Sequence, residues 1–124
     1  MRYKNILLID DDDDDQEIFT SALNEVPNPA QCVAMDNAAS ALEKLRTEEI
    51  IPDVIFLDLN MPIMSGQEFL MQIKSDEQLQ DIPVIILTTS SNPDTIKYTK
   101  QLGALDFITK PSDYNELIRI LGTM

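Results

Sequence analysis

The chain has 124 residues, of which 44% are hydrophobic and 25% charged, with a net charge of −13, one cysteine and no histidine. This is the size and composition of one globular domain with a sizeable core. The negative charge argues against nucleic-acid binding through phosphate contacts and against attraction to anionic lipid, and histidine chemistry on this chain is excluded. Cys32 has no partner for an internal disulfide, and no apolar run reaches the length of a signal-peptide core or a membrane span, so a cytoplasmic protein is expected.

In chain order, Ile6-Leu7-Leu8-Ile9 is a continuous apolar run that predicts a strand buried on both faces, as in a parallel sheet. It opens directly into six aspartates, Asp10 to Asp15. Carboxylates packed this closely repel one another and favour solvent or a cation. The first one or two suit a metal; Asp12 to Asp15 read as solvated residues or helix caps. Ile18, Phe19, Ala22, Leu23 and Val26 then recur at helical spacing, and Pro27 and Pro29 end that helix. Cys32-Val33-Ala34-Met35 reads as a short strand. Asp36 or Asn37 caps a helix with Ala38, Ala41, Leu42 and Leu45 inward, which Pro52 terminates.

Val54-Ile55-Phe56-Leu57 is a second continuous apolar strand and also ends in an aspartate, Asp58. A loop, Leu59 to Met64, leads to Ser65-Gly66-Gln67-Glu68, whose Ser-x-x-Glu spacing is a capping box. Phe69, Leu70 and Ile73 line one face of the helix it opens. Pro83 precedes another apolar strand, Val84-Ile85-Ile86-Leu87, which ends in Thr88-Thr89-Ser90-Ser91. Asn92-Pro93 supplies a cap and an N1 proline for the next helix, and Gly103 closes it. Phe107-Ile108-Thr109 is a last brief strand ending in Lys110-Pro111. Ser112 caps a final helix with Leu117, Ile118 and Leu121 inward. Strand and helix thus alternate five times, which predicts a three-layer α/β sandwich around a five-stranded parallel sheet; the strand order does not follow from the pattern.

Strands of a parallel sheet all point one way, so the residues just after them gather at one edge. Those residues are Asp10 and Asp11, Asp58, Thr88 (with Thr89 as the rival hydroxyl) and Lys110. Three carboxylates and one ammonium sum to −2, which a divalent cation would neutralise. Mg²⁺ takes oxygen ligands, so two carboxylates, a backbone carbonyl such as that of Asn60, and waters would suffice. A carboxylate beside the metal can act as a nucleophile toward phosphorus, with Lys110 and the Thr88 hydroxyl stabilising charge on the transferring oxygens.

These residues resemble the receiver domain of two-component response regulators. The resemblance runs from about Asn5 to Leu121 and rests on Ile-Leu-Leu-Ile-Asp-Asp at 6–11, Asp-Leu-Asn-Met-Pro-Ile-Met-Ser-Gly at 58–66, Pro-Val-Ile-Ile-Leu-Thr at 83–88, Gly-Ala at 103–104 and Lys-Pro at 110–111. It implies the flavodoxin-like strand order 2-1-3-4-5 and a cis Lys110–Pro111 bond. It implies Asp58 as phosphoacceptor, with Mg²⁺ or Mn²⁺ held by Asp10, Asp11, Asp58 and the Asn60 carbonyl, Asp11 directly and Asp10 largely through a bound water. It implies Thr88 and Lys110 as contacts of the phosphoryl group, and Thr88 with Phe107 as the switch pair. The implied donor is a histidine kinase or histidine-containing phosphotransfer protein. An unidentified downstream protein would read the surface of the fourth helix, fifth strand and fifth helix, and a second copy of the chain is a further candidate partner. A single receiver over residues 1–124 with no output domain is expected, a regulatory protein that catalyses only its own phosphorylation and dephosphorylation.

Three rival readings fare less well. A calcium-binding loop counted from Asp10 would need glycine at Asp15 and glutamate at Ser21, and is rejected. A phosphatase of the haloacid-dehalogenase type would take Asp10, Asp12, Thr88 and Lys110, but leaves Asp58-Leu-Asn-Met-Pro unexplained. A degenerate receiver that binds partners without phosphate transfer is at odds with the intact set of Asp11, Asp58, Thr88 and Lys110.

Overall fold

The computed structural model describes all of residues 1–124. Strands and helices alternate throughout, in the order β1 (Asn5–Ile9), α1 (Asp13–Asn24), β2 (Gln31–Met35), α2 (Ala38–Arg46), β3 (Val54–Leu57), α3 (Gly66–Ser75), β4 (Val84–Thr88), α4 (Pro93–Gln101), β5 (Asp106–Thr109) and α5 (Tyr114–Gly122). The sheet order is β2-β1-β3-β4-β5 with every pair parallel. This is the flavodoxin-like order that the resemblance implied. No helix is long and apolar enough to cross a membrane.

Burial explains why these runs occupy these places. The uninterrupted apolar runs of β1, β3 and β4 fill the middle of the sheet, where both faces are covered. The more mixed β2 and β5 are the edges, and Val33 on β2 is 48% exposed. Alternate side chains feed two separate cores. Leu7, Ile9, Ile55, Leu57, Val84 and Ile86 pack with α2 and α3 on one face. Ile6, Leu8, Val54, Phe56, Ile85 and Leu87 pack with α1 and α5 on the other. Phe19 and Phe56 meet there in a tilted aromatic pair with centroids 5.1 Å apart.

The helix starts carry the chemistry that the sequence suggested, with two shifts. Asn37 rather than Asp36 caps α2, the capping box of Ser65 and Glu68 opens α3, and Asn92 with Pro93 opens α4. Gly103, in the left-handed region at φ 108°, follows the end of α4. The last helix is capped by Asp113 and not by Ser112: Asp113 has the extended backbone of a cap, and its carboxylate accepts the Asn115 N–H at 2.9 Å. Ile18 is 47% exposed instead of inward. It sits one helical step, about 100°, from buried Phe19, at the margin of the apolar stripe. No peptide bond is cis, so Lys110–Pro111 adopts the trans form that X–Pro bonds ordinarily favour, contrary to the family-based expectation.

One glycine ties the α3 helix to the sheet end. A Cβ on Gly66 would lie 2.3 Å from the Asp58 carbonyl oxygen and 2.7 Å from the Leu59 Cα, both backbone atoms that cannot swing aside. Gly66→Ala is therefore expected to destabilise the fold by about 1–3 kcal/mol, the usual cost of overpacking. Urea denaturation checks this; a midpoint equal to that of the wild type would contradict the close approach.

Candidate functional site

The ladder of the sheet extends past the strands and fixes the backbone of the site residues. The Asp10 N–H donates to the Met35 carbonyl at 3.0 Å, the Asp58 N–H to Ile9 at 2.9 Å, and the Lys110 N–H to Thr88 at 2.7 Å. Each of these residues thus leaves its strand while still bonded to a neighbouring one, at the edge where the carboxyl ends of all strands meet.

Three carboxylates converge there. Asp10, Asp11 and Asp58 each place an oxygen within 4.8 Å of the others'. Asp10 and Asp58 are buried and Asp11 is exposed, so the cluster is open to solvent on one side. Asp10 is held at both oxygens: Oδ1 accepts the Asp12 N–H at 3.0 Å and Oδ2 accepts Lys110 Nζ at 2.8 Å. The Gln16 side-chain amide further donates to the Asp10 carbonyl at 2.6 Å. Asp58 lies 3.6 Å from Lys110 Nζ and accepts a long bond from the Asn60 N–H at 3.4 Å. Asn60 begins the exposed part of the loop after buried Leu59, and Met61 and Met64 pack loosely against the α2–α3 core.

Electrostatics follow from this crowding. Burial holds the Asp10 carboxyl above its ordinary pKa, outweighing the hydrogen bonds from Lys110 and Asp12, and the charge of Asp58 adds to the rise. For Lys110, burial acts downward, but the hydrogen bonds to Asp10 and Asp15 and the fields of Asp10 and Asp58 outweigh it, so the ammonium stays protonated well above neutral pH. One ammonium cannot neutralise three carboxylates. The donor set is all hard oxygen, partly solvent-facing and short of positive charge, and it is capable of coordinating Mg²⁺ or Mn²⁺.

Thr88 ends β4 with its side chain fully buried and its Oγ1 without any hydrogen-bond partner. Thr89, the rival hydroxyl, is exposed and lies outside the strand. A buried hydroxyl left unpaired costs free energy and marks a place where an acceptor is missing. Ile86 pairs with Phe107 and Thr88 with Thr109 across β4 and β5. Thr88 therefore shares a sheet face with Ile86 and Phe107, the face covered by α2 and α3, and half-buried Phe107 packs against that core.

The structure thus brings together Asp10, Asp11, Asp58 and Lys110, and places Thr88 and Phe107 on one face of the adjoining strands. It also adds a residue that the sequence assigned to solvent or capping. Asp15, on the first turn of α1, bonds Lys110 Nζ at 2.8 Å, as short as the bond from Asp10. Asp12 does cap α1, accepting the N–H groups of Asp14 and Asp15. In a run of six identical residues only helical geometry separates these roles: Asp15 follows Asp12 by three positions and turns back over the sheet end.

The sequence profile of the response regulator receiver domain matches residues 6–122. Among curated proteins, a protein-glutamate methylesterase/protein-glutamine glutaminase of Halalkalibacterium halodurans is 37% identical over 109 residues, covering 86% of this chain and 30% of that protein. The DNA-binding transcriptional regulator NtrC of Proteus hauseri is 33% identical over 121 residues, covering 98% of this chain and 24% of that protein. The chain thus spans less than a third of the length of these relatives. Among solved structures, the phosphorylated cyanobacterial phytochrome response regulator RcpA superposes with a TM-score of 0.88 at 34% identity, covering 98% of this chain and 90% of that one. The Mn²⁺-bound form of response regulator Rcp1 gives 0.86 at 29% identity, covering 97% and 90%. With a parallel sheet in 2-1-3-4-5 order, an acidic cluster at its carboxyl end and a profile match over nearly its whole length, the chain belongs to the response regulator receiver domain family.

Proposed function

We propose that this receiver is a phosphorylation switch: it accepts a phosphoryl group on Asp58 from a phosphohistidine of a histidine kinase or phosphotransfer protein, and the modified domain presents an altered surface to a downstream protein. The observation that carries this reading is the placement of Asp58. Its buried carboxylate lies beside Asp10 and Asp11 and 3.6 Å from Lys110. Two solved relatives of the same fold are described as phosphorylated and as Mn²⁺-bound, respectively.

In this reading an Asp58 carboxylate oxygen attacks the donor phosphorus, the bond from phosphorus to the donor histidine nitrogen breaks, and an acyl phosphate forms. Mg²⁺ or Mn²⁺ held by Asp10, Asp11, Asp58 and the Asn60 carbonyl would supply positive charge to the transferring oxygens. Lys110 offers its ammonium to the same oxygens, and Asp10 keeps that ammonium at the site. The buried Thr88 hydroxyl gains the acceptor it lacks. Movement of Thr88 toward the phosphoryl group opens space on the face it shares with Phe107, which turns inward. The equilibrium of the α4–β5–α5 surface shifts accordingly. α4 suits such a change, because Thr99 is its only fully buried residue.

Three outcomes test this. With acetyl phosphate and Mg²⁺, borohydride reduction of the acyl phosphate followed by peptide mapping is expected to mark Asp58. Asp58→Asn should fold normally and take no label; label on Asp10 would instead support phosphatase-type chemistry. Second, Mg²⁺ at tenfold excess over its Kd should stabilise the domain by about 1.4 kcal/mol, raising Tm by roughly 5 °C. Asp11→Asn should lose most of that shift in a thermal melt, and equal shifts in both proteins would remove Asp11 from the ligand set. Third, Thr88→Val removes the unpaired hydroxyl at nearly constant shape. It should raise stability by about 1 kcal/mol while weakening the response of α4 amide resonances to phosphorylation. A destabilised Thr88→Val would mean that the hydroxyl is satisfied in solution.

A further inference from the structure

Lys110 is shared unequally among three carboxylates. Its Nζ lies 2.8 Å from Asp10 Oδ2, 2.8 Å from Asp15 Oδ2 and 3.6 Å from Asp58 Oδ2. Two short charge-assisted bonds therefore hold it on the α1 side of the site, and its contact with Asp58 is the long one. The two short bonds differ in how readily they can be given up. The Asp10 side chain is 3% exposed and that of Asp15 is 36% exposed. Asp10 stripped of its ammonium would be a buried, uncompensated charge, whereas water can replace Lys110 at Asp15. Nor is Asp15 needed to start its helix, since Asp12 supplies the cap. Its backbone N–H is bonded to Asp12 Oδ1, which fixes where its side chain begins. A cavity of about 80 Å³ lies beside this pair on the α1–α5 side, with Asp10, Asp15, Ile18, Lys110 and Leu117 in its lining.

We propose that Asp15 is a positioning residue that competes for Lys110, so that a phosphoryl group on Asp58 gains the ammonium only by drawing it off Asp15. The proposal rests on the reading of Asp58 as phosphoacceptor. Asp15 thereby sets how strongly the phosphorylated state is held, without itself touching the phosphoryl group. Asp14 provides the matching control: it lies on the same turn, carries the same charge and is exposed, but makes no bond to Lys110.

The test is calorimetric titration with beryllium fluoride, a phosphoryl mimic, at saturating Mg²⁺. Asp15→Asn should bind it about three- to fivefold more tightly than the wild type, the size of one partly exposed ion pair, and Asp14→Asn within about twofold of the wild type. Equal affinities for the two variants would overturn the proposal, because they would reduce the effect to net charge. No binding by the wild type would overturn the phosphoacceptor reading, and this proposal with it. A second measurement needs no phosphoryl chemistry. In a double-mutant cycle of Asp15→Asn and Lys110→Met melted in EDTA, the Tm changes should be non-additive by about 2 °C or more. Additive changes would show that the pair does not form in solution and would equally overturn it.

Discussion

The structure depends on an unbalanced charge account at one end of a parallel sheet. Asp10, Asp11 and Asp58 come within 4.8 Å of one another, and the one ammonium bonded to them is that of Lys110. Buried like charges are tolerated only where something compensates them. Here the compensation from within the chain is partial, which leaves the site receptive to a divalent cation and to the chemistry that follows. The core supplies the rigidity that keeps the carboxylates from moving apart. β1 and β3 are buried along their apolar runs, and the backbone ladder continues through the amides of Asp10 and Asp58.

The same rigidity explains why strain and unpaired groups concentrate at this edge. A buried Thr88 hydroxyl with no partner, a carboxyl raised by burial at Asp10 and a glycine pressed against the Asp58 carbonyl all lie at the strand ends in space. Elsewhere the buried side-chain polar atoms have partners. Thr99, equally buried on α4, donates to the carbonyls of Thr95 and Ile96. The contrast separates a hydroxyl that serves the fold from one that the fold leaves waiting.

Lys110 connects the β4–β5 end of the sheet to β1 and α1. Its backbone closes the β4–β5 ladder, and its side chain crosses to β1 and α1. A change in what it bonds is therefore felt on the α1 side and at the end of β5 together. Phe107, three residues earlier on β5, belongs to the opposite core. The two faces of the sheet thus meet in one short strand.

Much of this was legible in the sequence because it depends on local pattern. Continuous apolar runs marked the central strands, caps and prolines marked the helix starts, and the alternation of strand and helix marked the layers. From alternation and strand direction alone, Asp10, Asp11, Asp58 and Lys110 had to share an edge. The strand order came from family resemblance, since pairing between distant strands leaves no local trace. Tertiary structure alone decided the rest. It assigned Asp113 rather than Ser112 as the α5 cap, turned Ile18 to the surface and left Lys110–Pro111 trans. Above all it distinguished the six aspartates from one another. Their identities are the same, and what differs is direction: the extended cap backbone sends Asp12 to the helix amides, helical rotation sends Asp15 to Lys110, and the end of β1 sends Asp10 into the core. Composition carries no information about direction, so those roles exist only once the chain is folded.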